Sequence, residues 1–240
     1  MQQPAPAPAL ALARIDDRRS MPPLRCDVVT IASDQRSGTT ELAADLSARL
    51  KALDLGEYFN PWGGQIRLPR ACAATAMLRM SARAADPLAT VRRTRDACGR
   101  ARAIVRVFPI QTFYTMTSPN QTVYEMIAGP TCVVILERNP LDRACSYLRV
   151  MATRDWLSRR EAHPNCSKVP PAKREWAKRF VKNHGVWFST VRSLVRSAGP
   201  TKLVREVRFE ELETRGIVDG RAPVRNATID AIATWIVRGS

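Results

Sequence analysis

The stretch CDVVTIASDQRSGTTELAADLSARLKAL, residues 26–53, contains the features that determine the fold. It begins with Cys26–Ala32, a short run rich in β-branched residues that is typical of a buried strand. Small and polar residues follow from Ser33 to Thr40, and leucines then recur at helical spacing between Glu41 and Leu53. A strand, a loop and a helix in this order predict the opening unit of a parallel α/β sheet.

Strands and helices continue to alternate along the rest of the chain. Apolar runs predict two further strands, at Ala103–Phe108 and Cys132–Leu136, and the segment Lys202–Phe209 is expected to form a fourth strand. Helical spacing predicts helices at Ala71–Arg100 with a break near Pro87, from Pro140 to about Met151, at Ala172–Ser197 and at Ile229–Val237. Because strand and helix repeat in turn, we predict a three-layer α/β fold with a mostly parallel central sheet.

The length and composition fit one globular domain. The chain has 240 residues, of which 45% are hydrophobic and 25% charged, an ordinary balance. The segment 1–24 is rich in Pro and Ala and predicts a disordered tail, which leaves 25–240 as a single domain. No apolar run reaches the length of about 18 residues that a membrane-spanning helix needs, so no span is predicted.

The chain is strongly basic. It has 38 Lys and Arg against 22 Asp and Glu, a formal net charge of +16. Such a charge attracts polyanions, whether nucleic acid, an acidic membrane surface, an acidic glycan or a phosphorylated nucleotide. The arginines are scattered from Arg14 to Arg238, without the dense run that is usual in a nucleic-acid-binding arm. We therefore expect no specific nucleic acid partner, and a basic nucleic-acid-binding module stays an alternative hypothesis.

Six cysteines bear on the redox compartment. Their spacing contains no CxxC or other close metal-ligand pattern. Cys132 opens an apolar run and Cys145 falls in a predicted helix, so both are expected to be small buried thiols, as in the reducing cytoplasm. Three Asn-x-Ser/Thr sequons, at Asn120, Asn165 and Asn226, favour the alternative, the lumen of the secretory pathway or an organelle.

The loop between the first strand and its helix predicts an anion-binding nest. Successive backbone amides at a helix N-terminus bind anions, and Gly38 lets the chain bend close to a phosphate. The hydroxyls of Ser37, Thr39 and Thr40 add donors, and Arg36 adds a positive charge. The loop resembles a Walker P-loop, but Thr39 stands where that motif has lysine, which argues against Mg²⁺-assisted NTP chemistry. A P-loop-type nucleotide kinase remains the alternative enzyme.

A second polar segment follows the predicted strand Cys132–Leu136. Arg138 stands at the C-terminal end of that strand, where open α/β sheets bind ligands. Asn139 is suited to cap the next helix, and Ser146 lies about two turns into it. A guanidinium with a nearby hydroxyl suits a phosphate monoester.

Together the two segments resemble the binding motifs of the sulfotransferases that use 3'-phosphoadenosine-5'-phosphosulfate (PAPS). Arg-Ser-Gly-Thr-Thr at 36–40 is similar to the family's 5'-phosphosulfate loop, and Arg-x-Pro-x-x-Arg-x-x-Ser at 138–146 is similar to its 3'-phosphate motif. A softer match at 207–212 is expected to be structural, a strand that ends in a short helix. The resemblance implies that PAPS is the co-substrate, that no metal is needed, and that a hydroxyl or amine of a small molecule or glycan accepts the sulfuryl group.

The resemblance also implies roles for single residues. Arg36 is expected to contact the bridging and sulfuryl oxygens as a catalytic residue, Thr39 and Thr40 the 5'-phosphate, and Arg138 and Ser146 the 3'-phosphate. The full set expected to bind PAPS is Arg36, Ser37, Gly38, Thr39, Thr40, Arg138 and Ser146.

The general base lies outside these motifs. The family's cytosolic group has a histidine at the strand end that corresponds to Arg106–Pro109, and this chain has none there. Segment 55–61 resembles the one after the first helix in bacterial trehalose-type sulfotransferases, which implies Glu57 as the base. The neighbouring Tyr58, Phe59 and Trp62 predict an apolar wall beside its carboxylate.

Two histidines are rival bases. His163 lies in the polar, proline-containing segment 155–171, which is predicted to be a mobile loop that closes over an acceptor. His184 is expected to be a residue of the long helix.

Overall fold

The computed structural model of the protein describes residues 26–34, 37–60, 68, 72, 85–109, 119–153, 173–200, 202–212 and 223–238. The predicted tail and the predicted loop at 155–171 lie outside these ranges, as do Arg36 and His163.

Five parallel strands form the central sheet. They are β1 (Val28–Ser33), β2 (Leu53–Asp54), β3 (Ala103–Val107), β4 (Cys132–Glu137) and β5 (Val204–Arg208), in the spatial order β2-β3-β1-β4-β5. The sheet confirms the predicted α/β class, and every strand pair in it is parallel. Strand β2 was not predicted, because two residues are too few to show an alternating pattern.

Helices follow or separate the strands. They are α1 (Thr39–Leu50), α2 (Pro87–Ala97), α3 (Pro119–Ala128), α4 (Pro140–Thr153), α5 (Arg174–Ser197), α6 (Phe209–Leu212) and α7 (Pro223–Arg238). The predicted break near Pro87 is the start of α2, where the Asp86 side chain accepts a hydrogen bond from the Ala89 amide at 3.1 Å. Helix α1 ends at Leu50, three residues before the predicted end, because Lys51 adopts a left-handed conformation with φ 50°.

Side chains of β1 alternate between two apolar layers, as the period of a strand requires. Val28 and Ala32 pack with residues of α2, α3 and α5 on one face of the sheet. Val29 and Ile31 pack with residues of α1 and α7 on the other face. A sheet between two helical layers is the predicted three-layer arrangement.

Disulfides correct the prediction of free thiols. Cys26, just before β1, is bonded to Cys132, the first residue of β4, and Cys72 is bonded to Cys98 after α2. Cys145 is disulfide-bonded as well. The apolar surroundings of Cys132 suggested a small hydrophobic residue, but a sequence does not show which cysteines meet across neighbouring strands.

Charged side chains stabilise the end of the sheet at which the parallel strands begin. The Asp27 carboxylate accepts hydrogen bonds from Arg92 Nε at 2.8 Å and Arg95 Nη1 at 2.6 Å, which ties α2 to the start of β1. Burial alone would raise the pKa of Asp27, but the hydrogen bonds and charges of the two arginines lower it overall. Lys202 Nζ donates to the carbonyl and hydroxyl oxygens of Thr131, at 2.7 and 3.0 Å. The opposite, carboxyl-terminal edge of the sheet carries both predicted binding segments.

Candidate functional site

The nest residues lie where β1 passes into α1. Gly38 has φ 75° and ψ 13° and immediately precedes α1, and its carbonyl accepts the amides of Glu41 and Leu42 at 3.2 and 3.1 Å. The first amides of a helix have no intrahelical acceptor, so the amides of Thr39 and Thr40 belong to the anion-binding end of α1. Ser37 is fully buried beside them, and among the described residues its hydroxyl has no hydrogen-bond partner. This geometry fits a bound anionic group.

One aromatic ring contacts both predicted binding segments. Phe209, the first residue of α6, lies against Gly38 so closely that a Cβ atom there would collide with ring carbon Cε2. The Arg138 guanidinium lies over the same ring, with its central carbon 4.4 Å from the ring centroid. Phe209 therefore fixes the distance between the nest and Arg138, a role that its position in the softer third match did not indicate.

Arg106 supplies a buried positive charge next to the nest. This residue of β3 is 0% exposed, and its Nη1 donates to Thr40 Oγ1 at 2.7 Å. Because Thr40 Oγ1 accepts that bond, the hydroxyl proton of Thr40 points away from Arg106 and can be donated to a bound anion. The sequence carried a signal for Arg106, since it is the one charged residue in the apolar run 103–108.

The second segment begins where β4 ends. Asn139 caps α4 as predicted, because its Oδ1 accepts the amides of Leu141 and Asp142 at 2.9 and 3.4 Å. The Asn139 amide donates to Glu210 Oε1 at 2.9 Å, so α6 is tied to this turn. Arg138, just before the cap, is largely buried. The turn is thus held from both sides at the edge where the nest lies.

Helix α4 links the second segment directly to the first. Arg143 is 1% exposed, forms an ion pair with Asp34 and lies 3.8 Å over the Phe180 ring. Burial lowers the pKa of Arg143 to about 10, although the Asp34 carboxylate opposes the shift, so the guanidinium stays charged at neutral pH. Ser146 lies one turn further on the same face of the helix and is also buried. Arg143 therefore connects the helix of the second segment to the end of β1, where the first segment begins.

Glu57 lies at the same edge of the sheet but two strands away from β1. It follows β2 and is half-buried, and its Oε2 accepts a hydrogen bond from Asn60 Nδ2 at 2.7 Å. Two interstrand spacings place it about 10 Å from the end of β1. Tyr58 and Phe59 are both 0% exposed and pack in the core, where Tyr58 Oη is 3.0 Å from Thr94 Oγ1. Trp62, the third residue of the predicted wall, lies outside the described residues.

His184 is a residue of α5, as predicted, and is only 2% exposed. A base that takes a proton from an acceptor must contact it, and both ring nitrogens of His184 instead face carboxylates, those of Asp34 and Glu137. Glu57 and His163 therefore stay the candidates for the base. Within the described ranges, no group of three or more His, Cys, Asp or Glu side chains is placed to hold a metal ion. None of the helices in those ranges is long and apolar enough to cross a membrane.

Comparison with known proteins gives only distant structural likeness. No family model and no curated protein matches the chain. A sulfotransferase from Alicyclobacillus acidocaldarius is 20% identical with a TM-score of 0.49, covering 87% of this chain and 79% of that one. A shikimate kinase from Bacteroides thetaiotaomicron is 8% identical with a TM-score of 0.41, covering 87% and 97%. At these scores the comparisons do not separate the two activities, and the site residues themselves must carry the functional argument.

Proposed function

We propose that the protein transfers a sulfuryl group from PAPS to a hydroxyl or amine of an acceptor. The observation that carries this proposal is the coupling of the two predicted phosphate-binding segments at one edge of the sheet. They are coupled through the Phe209 ring and through the ion pair between Arg143 and Asp34. Two anion sites at a fixed separation suit a nucleotide with phosphates at both its 5' and 3' positions.

The nest would hold the 5' end of the donor. Backbone amides at the start of α1 and the hydroxyls of Ser37, Thr39 and Thr40 are donors for the 5'-phosphate. Arg36 belongs to the same loop and would contact the bridging and sulfuryl oxygens. Arg106 adds a fixed positive charge behind Thr40, and no lysine follows Gly38 to support Mg²⁺·NTP chemistry.

The 3'-phosphate would lie against Arg138 and Ser146. An arginine offers a planar pair of N–H donors to a phosphate, and stacking on Phe209 restricts the plane of that pair. Since both residues are buried at the edge of the sheet, their contacts with a phosphate would be shielded from water.

The chemistry is an in-line displacement at sulfur. The acceptor oxygen or nitrogen forms a bond to sulfur while the bond between sulfur and the bridging oxygen breaks. The electron pair stays on the 5'-phosphate of the leaving 3'-phosphoadenosine-5'-phosphate (PAP). Glu57 takes the acceptor's proton, and the nest with Arg36 stabilises the charge that grows on the bridging oxygen. Glu57 follows β2 and the nest follows β1, and β3 lies between these two strands. The acceptor would therefore lie over the end of β3, between Glu57 and the nest.

The disulfides support an oxidising compartment as the place of action. Disulfide bonds persist in secretory and extracellular environments and are rare in the cytoplasm. We therefore favour the lumen of the secretory pathway or an organelle over the cytoplasm. Alkylation of the unreduced protein, followed by mass measurement, should reveal no modified Cys26, Cys72, Cys98, Cys132 or Cys145, and modification of these thiols in freshly isolated protein would favour the cytoplasm.

The test of the proposed activity is a transfer assay with radiolabelled PAPS. The purified protein should move the label to at least one member of a panel of small alcohols, amines and glycans, without added Mg²⁺. Arg138→Ala should reduce the transfer at low donor concentration. Absence of transfer to the whole panel, together with Mg²⁺-dependent phosphate transfer from ATP, would favour the kinase alternative.

A further inference from the structure

The Glu57 carboxylate is held by a neighbouring side chain. Asn60 Nδ2 donates a hydrogen bond to Glu57 Oε2 at 2.7 Å, and within the described ranges no other group donates to this carboxylate. An ionised carboxylate only accepts hydrogen bonds, so the amide nitrogen of Asn60 is the atom that faces it. Asn60 is 8% exposed and Glu57 is half-buried, which strengthens the bond by keeping water away from it.

The backbone on both sides of Glu57 is fixed by hydrogen bonds. The Gly56 carbonyl accepts the Arg106 amide at 3.1 Å, and the Gly56 amide donates to Asp54 Oδ1 at 2.9 Å. On the other side, the Asn60 amide donates to the Glu57 carbonyl at 2.9 Å, which closes a four-residue turn over 57–60. The Cα atom of Glu57 therefore has a defined position after β2.

The two central residues of this turn anchor it in the core. Tyr58 and Phe59 are buried, and Tyr58 Oη lies 3.0 Å from Thr94 Oγ1 of α2. With the backbone held in this way, the freedom that remains is that of the Glu57 side chain, and glutamate is among the side chains that lose most rotamer freedom when they are fixed. The hydrogen bond from Asn60 restricts that freedom to one orientation of the carboxylate.

Arg106 connects this turn to the nest. Its backbone amide binds the Gly56 carbonyl, and its side chain donates to Thr40 Oγ1 at 2.7 Å. One residue of β3 thus sets the position of the Glu57 backbone relative to the nest, where the sulfuryl group of the donor would lie. Because a transfer step depends on the exact placement of its reacting groups, the orientation of the carboxylate is then the part that Asn60 has to supply.

We propose that Asn60 is a positioning residue for the general base: it holds the Glu57 carboxylate through Oε2 and leaves Oε1 to take the proton of the acceptor. This inference rests on the proposed function, with Glu57 as its base. A base acts only within hydrogen-bond reach of the proton that it removes, and a carboxylate that rotates freely spends only part of its time there. Asn60 acts through Glu57 alone, so its loss lowers kcat and leaves the binding of the donor unchanged.

The experiment compares Asn60→Ala, Asn60→Asp, Glu57→Gln and the double variant that combines Asn60→Ala with Glu57→Gln. The acceptor is the member of the panel to which the wild type transfers most label, and the affinity for PAP is measured by calorimetry without Mg²⁺. Asn60→Ala should lower kcat by about 10–100-fold, the scale of a misplacement of about 1 Å, and should change the affinity for PAP less than about twofold. Asn60→Asp keeps the shape of the side chain but replaces the donor with a second carboxylate, so its loss of kcat should be at least as large.

The double variant separates positioning from a structural role. If Asn60 acts only through Glu57, the double variant should have the kcat of Glu57→Gln within about twofold, because residues that act as one unit are not additive. The matched control is Thr94→Val, which removes the hydroxyl that contacts Tyr58 of the same turn. It should lower Tm and leave kcat unchanged.

Three results would overturn the role of Asn60. They are losses of kcat that multiply in the double variant, a wild-type kcat in Asn60→Asp, and a wild-type kcat in Glu57→Gln. If Asn60→Ala does not fold, Asn60→Asp alone decides, since it preserves the side-chain volume. A wild type that neither binds PAP nor transfers sulfuryl groups is a distinct result, which removes the proposed function and this role together.

Discussion

Replacement of Gly38 by alanine should destabilise the protein through two separable effects. The first is the left-handed backbone at φ 75°, which costs an L-residue about 1–2 kcal/mol. The second is the collision of the new Cβ with the Phe209 ring, for which overpacking costs of about 1–3 kcal/mol are usual. Together they predict that Gly38→Ala lowers the free energy of unfolding by about 2–5 kcal/mol.

Gly99 offers a matched control for this prediction. It has φ 63°, and a Cβ there would meet nothing within 4 Å, so Gly99→Ala should show only the backbone cost of about 1–2 kcal/mol. Alanine restricts the unfolded chain equally at both sites, so that contribution cancels in the comparison. Urea unfolding of both variants measures the difference, which is the cost of the collision.

A double-mutant cycle identifies the ring as the cause. Phe209→Ala removes the obstacle, so Gly38→Ala should cost about 1–3 kcal/mol less in that background than in the wild type. Equal destabilisation by Gly38→Ala and Gly99→Ala, or no coupling between positions 38 and 209, would refute the packing of Phe209 against the nest.

Four further predictions concern the site and the stability of the sheet. Arg138→Ala should weaken binding of PAP by about 10–100-fold, the value of a hydrogen bond to a charged group, and leave adenosine 5'-phosphosulfate nearly unchanged in calorimetry. Arg36→Ala should lower kcat by about 10²–10³, and a normal kcat with only a raised KM for PAPS would make it a binding residue alone. Glu57→Gln should lower kcat by about 10²–10⁴ with unchanged PAP affinity, whereas retained activity would point to His163. Because the pKa of Asp27 is lowered in the folded state, its carboxylate stabilises the protein above pH about 4 and loses that effect as pH falls. The stability gap between the wild type and Asp27→Asn in urea unfolding should therefore close in acid, and a constant gap would contradict the role of the ion pairs.

The opening strand, loop and helix could be predicted because local rules determine them. A β-branched run, a glycine at a left-handed turn and leucines at helical spacing all act over a few residues, as does the Asn139 cap. Helix α5 was predicted within two residues at its start for the same reason. Helix α3 was missed because the segment before β4 combines Gln, Asn, Thr and Tyr without a clear apolar stripe.

The contacts that build the site could not be predicted, because they join residues far apart in the chain. Phe209 meets Gly38 only through the parallel pairing of β4 with β5 and of β1 with β4. The same pairing brings Asp34 beside Glu137, where His184 lies. The disulfide between Cys26 and Cys132 depends on the pairing of β1 with β4 too, and six cysteines allow 15 complete pairings by sequence alone.

The most direct measurement is calorimetric titration of the wild-type protein with PAP in the presence of EDTA, and with ATP in the presence of Mg²⁺. If the nest and the segment at Arg138 bind the two ends of one bisphosphorylated nucleotide, PAP binds at one site without a metal, and ATP with Mg²⁺ binds far more weakly. Tight binding of ATP with Mg²⁺ and no detectable binding of PAP would contradict the proposed sulfotransferase function.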